Sequence, residues 1–189
     1  MIIGENECLM IQAVDFQILD WIQANLKSEV LDWIMPIITA LGDGGIFWIL
    51  LGVICLAFTK SRKMGAQMLL AMALGFVIGN LGLKIIIARQ RPYTFNESIL
   101  LLIKEPSDFS FPSGHTLASF AAAITIFFYQ KKFGIAALIL AALIAFSRLY
   151  LYVHFPSDIL GGLILAVFVA YVAKIIVKIL NDRQMTPNA

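Results

Sequence analysis

Charged side chains are scarce in this chain. Only 14% of its 189 residues are Asp, Glu, Lys or Arg, whereas soluble domains carry about 25%. Hydrophobic residues make up 60%, above the roughly 45–50% of soluble domains. A soluble fold of this size cannot bury so much apolar surface. The composition therefore predicts an integral membrane protein, with residues 1–189 forming a single domain.

Basic runs, Cys/His metal-binding spacings and an N-terminal export signal are also missing. The net charge is only +2, which does not favour a nucleic-acid partner. Cys8 and Cys55 are far apart in the sequence, so neither a disulfide nor a metal site is predicted. The first twenty residues contain carboxylates instead of a basic start and an apolar core, so no cleavable signal peptide is expected.

Long apolar runs account for most of the sequence. Five of them approach the roughly 20 residues that a helix needs to cross a bilayer. They cover residues 44–59, 64–87, 114–130, 133–151 and 157–180. We expect an all-α polytopic bundle of about six transmembrane helices.

The N-terminal helical segment, residues 8–41, is predicted to form two helical pieces joined near Asn25–Ser28, because its apolar residues recur at helical spacing. The first piece could lie in the membrane interface or combine with Leu31–Leu41 in a sixth crossing, which we favour. The glycine-rich Gly42–Gly45 is expected to break the chain before the next helix.

The longest polar segment covers residues 88–112 and is predicted to be a functional loop, since plain connectors of that length are uncommon. If all five runs cross, successive loops alternate between the two membrane faces. The basic turns at Lys60–Lys63 and Lys131–Lys132 then share one face, which the positive-inside rule places in the cytoplasm. The 88–112 loop is therefore expected on the extracytoplasmic face of the cell membrane.

Three polar clusters lie at helix ends on that expected outer face. They are Lys84 with Arg91-Pro92, then Pro112-Ser113-Gly114-His115, then Ser147-Arg148 with His154 and Asp158. Both histidines of the chain belong to them. Ionisable residues beside a bilayer are costly and tend to be functional, and this combination suits the handling of a phosphate group.

His154 and Asp158 have the spacing of a nucleophile and its orienting carboxylate. Pro156 suits the first turn of a helix, which brings Asp158 within reach of one ring nitrogen of His154. A carboxylate there fixes the tautomer and raises the basicity of the other nitrogen, which could then attack phosphorus. Alternatively, Asp158 could serve only to stabilise the helix start.

The second cluster has the composition of an anion-binding helix start. Ser113 is a suitable N-cap, and Gly114 lets a ligand approach the backbone. The free N–H groups of a helix N-terminus bind phosphate, and His115 could protonate a leaving oxygen as general acid. An ordinary capped helix with a chance histidine remains the alternative.

The cations at these helix ends divide into two groups. Lys84, Arg91 and Arg148 are on the same face as both histidines and could bind phosphate oxygens. Arg89 and Lys104 are instead interpreted as cations that snorkel to the membrane surface.

Taken together, the clusters resemble the three-part signature of the type 2 phosphatidic acid phosphatase superfamily. The matching segments are Lys84-x6-Arg91-Pro92, Pro112-Ser113-Gly114-His115 and Ser147-Arg148-x5-His154-x3-Asp158. The resemblance spans residues 84–158 and includes every motif position. It implies a six-helix membrane fold with a haloperoxidase-like core. It also implies hydrolysis of a lipid phosphate or diphosphate without a metal or other cofactor.

The same resemblance implies roles for individual residues. His154 would be the nucleophile, Asp158 its orienter and His115 the general acid. The phosphate would be bound by Lys84, Arg91, Ser113, Gly114 and Arg148.

Undecaprenyl diphosphate is the leading expected substrate, because recycling that lipid carrier needs an outward-facing phosphatase. Phosphatidylglycerol phosphate, phosphatidate and lipid A phosphate are alternatives, as is phosphoryl transfer to an acceptor other than water. A transporter or scaffold with a residual anion site would need neither a nucleophile nor an acid. Vanadate-dependent haloperoxidases share the signature, but the membrane spans argue against that activity. The oligomeric state is left open.

Overall fold

Helices make up the ordered framework of the protein, in a computed structural model that describes residues 5–96 and 98–185. In chain order they are α1 (Glu5–Leu26), α2 (Glu29–Ala40), α3 (Ile46–Ala57), α4 (Arg62–Gly75), α5 (Lys84–Ile87), α6 (Gly114–Tyr129), α7 (Lys131–Tyr150) and α8 (Pro156–Met185). A π-helical segment, Phe76–Leu83, joins α4 to α5, and short 3-10 turns cover Asp43–Gly45 and Pro92–Phe95. These ranges contain no strand, so the all-α prediction is confirmed.

Helix α6 occupies the centre of the bundle, where it packs against α4, α7 and α8. Its inward side is built from small residues, and Ala121, Ala122 and Ala123 are fully buried. Close approach of α7 depends on Gly134, since a Cβ atom there would lie 2.2 Å from the Cα atom of Phe127. Small residues thus let the helices that carry the polar clusters pack closely.

Four helical stretches are long and apolar enough to cross a membrane. They are Glu29–Ala57, Arg62–Phe95, Lys131–Tyr150 and Pro156–Asp182, and the apolar helix α6 is shorter, with 16 residues. Many large apolar side chains are exposed on the outside of the bundle, among them Ile86 and Ile164, as expected of a surface that faces lipid. The protein is a multi-pass membrane protein, and its helix count fits the expected number of about six.

The N-terminal part differs in detail from the expected arrangement. The predicted separation near Asn25–Ser28 is confirmed, since α1 ends at Leu26 and Ser28 is the N-cap of α2. However, α2 is not paired with α1 in one crossing, because it continues through a tight turn into α3. Gly44 and Gly45 adopt positive φ angles of 58° and 67° in that turn, a conformation that glycine adopts without strain.

Helix α1 lies across one end of the bundle. It binds the end of α7, the following turn and the start of α8. The pairs are Gln23 with the carbonyl of Tyr150, Asp20 with Tyr152, and Asp15 with Ser157. Because contacts along two turns of α1 all reach the same end, this helix runs along the bundle end and not through its interior.

The basic turns lie at the opposite end. Tyr129, the last residue of α6, donates a hydrogen bond to Gln67 in the second turn of α4 (3.0 Å). The α3–α4 and α6–α7 turns are therefore neighbours, as the alternation of loops predicted.

The structure describes the side chain of one of the two cysteines and the course of the C-terminal helix. Cys55 is buried and unpaired. Helix α8 continues through Asn181 to Met185. The thiol of Cys8, residue 97 and residues 186–189 lie outside the described residues.

Candidate active site

The three polar clusters meet around a cavity of about 610 Å³ at the bundle end where α1 lies. Six of the eight predicted site residues line it: Lys84, Arg91, Gly114, His115, Arg148 and His154. The other two, Ser113 and Asp158, are fully buried and are joined by a hydrogen bond from the Ser113 N–H to the Asp158 carbonyl (3.1 Å). Helix packing thus brings together residues that are as far apart as 84 and 158 in the sequence.

Ser113 shapes the start of α6. It is the N-cap of that helix, and its Oγ accepts hydrogen bonds from the backbone N–H (3.4 Å) and the hydroxyl (3.0 Å) of Thr116. Gly114 follows at the cavity wall, where a Cβ atom would approach Nδ2 of Asn80 to 3.2 Å. The first turn of α6 therefore combines free N–H groups with an uncrowded backbone, as an anion site at a helix start requires.

His154 is buried in the turn between α7 and α8, with a different partner on each ring nitrogen. Nδ1 lies 3.4 Å from Oδ2 of Asp158, and Nε2 lies 3.2 Å from the guanidinium of Arg91. Since a guanidinium can only donate, Nε2 must accept, and the proton is on Nδ1. Burial, reinforced by the charges of Arg91 and Arg148, holds the pKa of His154 well below its usual range. The ring is thus neutral, with its free lone pair on the side of the cations.

Arg89 belongs to this site, so its interpretation as a snorkelling cation is wrong. Its guanidinium donates to Oδ1 of Asp158 (2.7 Å), to Oδ2 of Asp15 on α1 (2.7 Å) and to Oγ of Ser157 (2.6 Å). Asp158 has no exposed side-chain surface, and a buried carboxylate needs a compensating cation. This role could not be predicted from the sequence, because α1 and Arg89 are separated by more than sixty residues.

His115 has a carboxylate partner that the sequence did not reveal. Its Nε2 lies 2.9 Å from Oδ1 of Asp43 in the turn between α2 and α3. The ring fits because position 42 is a glycine, where a Cβ atom would come within 2.6 Å of it. In the sequence, Asp43 is an ordinary turn residue between glycines, so nothing distinguished it. The pair would let Asp43 stabilise a protonated His115.

Two of the three predicted phosphate-binding cations are bridged by Asp108. Its carboxylate contacts Nζ of Lys84 (2.5 Å) and the guanidinium of Arg91 (2.6 Å). Partial burial would raise the pKa of Asp108, but the hydrogen bonds and charges of Lys84 and Arg91 lower it to about 2. Asp108 is therefore ionised at neutral pH and occupies the cations that a phosphate would use.

Arg148 is the third cation of the cavity. Its guanidinium donates to the hydroxyl of Thr39 on α2 (2.6 Å), and its Nε is buried without a partner among the described residues. A buried donor without a partner is costly, and an anion in the cavity could satisfy it. Ser147, which belongs to the third polar cluster, donates its hydroxyl to the carbonyl of Ile144 and does not line the cavity. Lys104, interpreted from the sequence as a surface cation, is exposed.

Part of the cavity, called the apolar arm below, is lined by apolar side chains of α3, of α4 and of the residue that follows α4. They are Ile49, Leu69, Met72, Ala73 and Phe76. One cavity thus combines a cationic lining with an apolar lining. No cluster of His, Cys, Asp or Glu that could hold a metal ion occurs within the part of the chain that the structure describes.

Comparisons with known proteins agree with this geometry. Residues 64–182 match the family described as the PAP2 superfamily. The chain is 32% identical to an undecaprenyl-diphosphatase from Sulfolobus acidocaldarius. The alignment covers 67% of this chain and 61% of the relative, so the chain spans less than two thirds of the relative's length. It is also 32% identical to the undecaprenyl-diphosphatase BcrC of Bacillus subtilis, over 76% of this chain and 74% of the relative.

A solved structure extends the likeness to the fold. The transmembrane PAP2-type phosphatidylglycerolphosphate phosphatase from Bacillus subtilis superposes with a TM-score of 0.71 at 26% identity. The superposition covers 95% of this chain and 90% of that one. The likeness therefore includes nearly all of the helical framework described above.

Proposed function

The chain belongs to the PAP2 superfamily, and on that premise we propose that it is a metal-independent lipid phosphatase that converts undecaprenyl diphosphate to undecaprenyl phosphate. The observation that carries this proposal is the neutral imidazole of His154, whose lone pair lies on the side of the site cations. The two undecaprenyl-diphosphatase relatives support the choice of lipid.

In the proposed reaction, Nε2 of His154 attacks the terminal phosphorus and forms a P–N bond. The bond from phosphorus to the bridging oxygen breaks, and the electron pair leaves with undecaprenyl phosphate. His115 protonates the leaving oxygen, then removes a proton from the water that attacks the phosphohistidine. Inorganic phosphate departs, and Nε2 regains its lone pair. Asp158 keeps the proton on Nδ1 and stabilises the positive ring of the intermediate.

Binding of the transferred phosphoryl group falls to the cations and to the helix start. Lys84, Arg91 and Arg148 would neutralise its equatorial oxygens. The free N–H groups in the first turn of α6, which Ser113 caps and which begins at Gly114, would bind one of them. Phosphate oxygens would also draw the Arg91 guanidinium away from Nε2, which frees the lone pair for attack.

The apolar arm supports a lipid as the substrate. A site for a soluble phosphate ester would not need an apolar channel between two membrane-facing helices. The first isoprene units would enter this arm, while the rest of the chain stays in the bilayer. We further propose that the site opens on the extracytoplasmic face, since the basic turns lie at the opposite end of the bundle.

Phosphatidylglycerol phosphate is the second candidate substrate, because the superposed Bacillus subtilis protein is a phosphatidylglycerolphosphate phosphatase. The test is phosphate release from purified protein in detergent, with undecaprenyl diphosphate, phosphatidylglycerol phosphate, phosphatidate and lipid A compared at equal concentration. We expect the highest kcat/KM for undecaprenyl diphosphate and no loss of activity with excess EDTA. Preference for another lipid would overturn the substrate, and inactivation by EDTA would overturn the metal-independent chemistry.

A further inference from the structure

Helix α1 lies outside the segment that matches the family, residues 64–182, yet it contacts the turn that carries His154 from several directions. Gln23 donates to the carbonyl of Tyr150 (2.7 Å). The ring of Phe16 packs edge-on against Phe155, with ring centroids 5.1 Å apart. These contacts flank the nucleophile on both sides along the chain.

The backbone of this turn is strained. Tyr152 has a φ of 57°, and a residue with a side chain adopts that conformation only where its surroundings enforce it. Its hydroxyl donates to Asp20 of α1 (2.8 Å), and burial together with the Asp20 carboxylate raises the pKa of Tyr152 to about 12, so the donor proton is retained. Helix α1 thus supplies one of the contacts that hold the strained residue.

Arg89 links α1 to the carboxylate that orients His154. Besides its bonds to Asp15 and Asp158, its guanidinium lies 4.0 Å from the centroid of the Phe155 ring. Asp15 also accepts from the N–H of Ser157 at the start of α8 (2.9 Å). One cation is therefore shared between Asp15 of α1 and the orienting carboxylate of Asp158, which lies in the first turn of α8. Asp15 is bonded to that same turn through Ser157.

We propose that Asp15 and Arg89 are positioning residues of the active site, through which α1 holds Asp158 and so keeps His154 aligned for attack. The proposal rests on the proposed function, because it concerns the efficiency of His154. Arg89 does not line the main cavity, so it acts through Asp158 and leaves phosphate binding to the other cations. Asp15 acts one step further away, by fixing Arg89.

The test compares kcat, KM and the inhibition constant of inorganic phosphate in Arg89→Gln, Arg89→Lys and Asp15→Asn. Misplacing a reacting group by about 1 Å can cost about 100-fold, so we expect kcat of Arg89→Gln to fall by about 10- to 100-fold. KM and the inhibition constant should stay within about twofold of wild type, which also shows that the site is folded. Arg89→Lys should recover part of the lost kcat, because it restores the charge beside Asp158.

A double variant tests whether Asp15 acts through Arg89. Asn at position 15 can still accept from Ser157, so Asp15→Asn should lose less activity than Arg89→Gln. Because Asp15 acts through Arg89, adding Asp15→Asn to Arg89→Gln should cause little further loss. Controls are Gln17→Ala on the exposed side of α1 and Arg62→Gln at the opposite end of the bundle, both expected to match wild type.

Three results would overturn the positioning role. They are an unchanged kcat in Arg89→Gln, a rise in KM and in the phosphate inhibition constant that accounts for the loss, and equal loss in Arg89→Lys and Arg89→Gln. Additive losses in the double variant would show that Asp15 does not act through Arg89. An inactive wild type, by contrast, would overturn the proposed function itself.

Discussion

Among single residues, Asp108 would compete with the proposed phosphate ligand for two of the site cations. The carboxylate of Asp108 occupies Lys84 and Arg91 at hydrogen-bonding distance, and about half of its side chain is exposed, so it can move aside. Charge-assisted bonds of this kind keep the two cations in place before the phosphate arrives. The same carboxylate would weaken the binding of phosphate once it is a product.

Replacing Asp108 should therefore strengthen product inhibition. In Asp108→Asn we expect inorganic phosphate to inhibit about tenfold more strongly, a change of ~1.4 kcal/mol, because the negative competitor is gone. Inhibition constants for phosphate in steady-state assays measure this. Glu105→Gln, an exposed residue of the same loop, is the matched control and should resemble wild type. Unchanged or weaker inhibition in Asp108→Asn would show that the carboxylate does not compete.

Whether a site residue could be predicted from the sequence depends on how far along the chain its partner lies. His154 and Asp158 are one helical turn apart, so their pairing was visible from spacing alone. The partners Asp43, Asp108 and Arg89 were missed, because their contacts depend on how separate helices and a loop pack. An acidic residue between glycines or in a polar loop has no local feature that distinguishes it.

At the scale of elements, the helices were more predictable than their ends and bends. The runs at 133–151 and 157–180 correspond closely to α7 and α8. The run at 64–87 contains the π-helical segment Phe76–Leu83, which hydrophobicity does not report. Likewise, the run at 44–59 is only the second half of a span that begins at Glu29. The turn at Asp43–Gly45 interrupts this span without ending it.

In the proposed function, the apolar arm between α3 and α4 would receive the lipid tail and so affect substrate choice. Ala73 lies on its wall with an exposed side chain, so Ala73→Trp should narrow the arm. We expect KM for a long-chain lipid diphosphate to rise by about tenfold, or ~1.4 kcal/mol, while KM for a short-chain analogue changes little. Steady-state kinetics with both substrates test this.

Ala136→Trp is the matched control for the arm. Ala136 is exposed on α7, away from the cavity, so a tryptophan there should leave both KM values unchanged. An equal change for long and short chains in Ala73→Trp would mean that the arm does not receive the lipid tail.

At the scale of the whole molecule, the bundle has two chemically different ends. One holds the polar clusters, the long loop and α1. The other holds the basic turns between α3 and α4 and between α6 and α7. This asymmetry could be predicted from the sequence. The alternation of apolar runs assigns each loop to one end of the bundle, and the charge of each loop can be counted directly. The placement of α1 across the site end could not, because it depends on polar contacts with residues more than a hundred positions away.

The orientation that we propose for the protein in the membrane rests on the same asymmetry. In a Cys8→Ser background, Lys104→Cys in the long loop should react with a membrane-impermeant maleimide in intact cells. Lys132→Cys in a basic turn should react only after permeabilisation. Both lysines are exposed, so accessibility within the protein is matched. The reverse labelling pattern would place the site in the cytoplasm.

The proposed reaction requires that His154 carry the phosphoryl group during turnover. Rapid alkaline quenching of a reaction with substrate labelled in its terminal phosphate detects this intermediate, since phosphohistidine survives base and is lost in acid. We predict label on the peptide that contains His154, appearing before free phosphate and absent from His154→Ala. Label on His115 instead, or wild-type turnover by His154→Ala, would show that His154 is not the nucleophile.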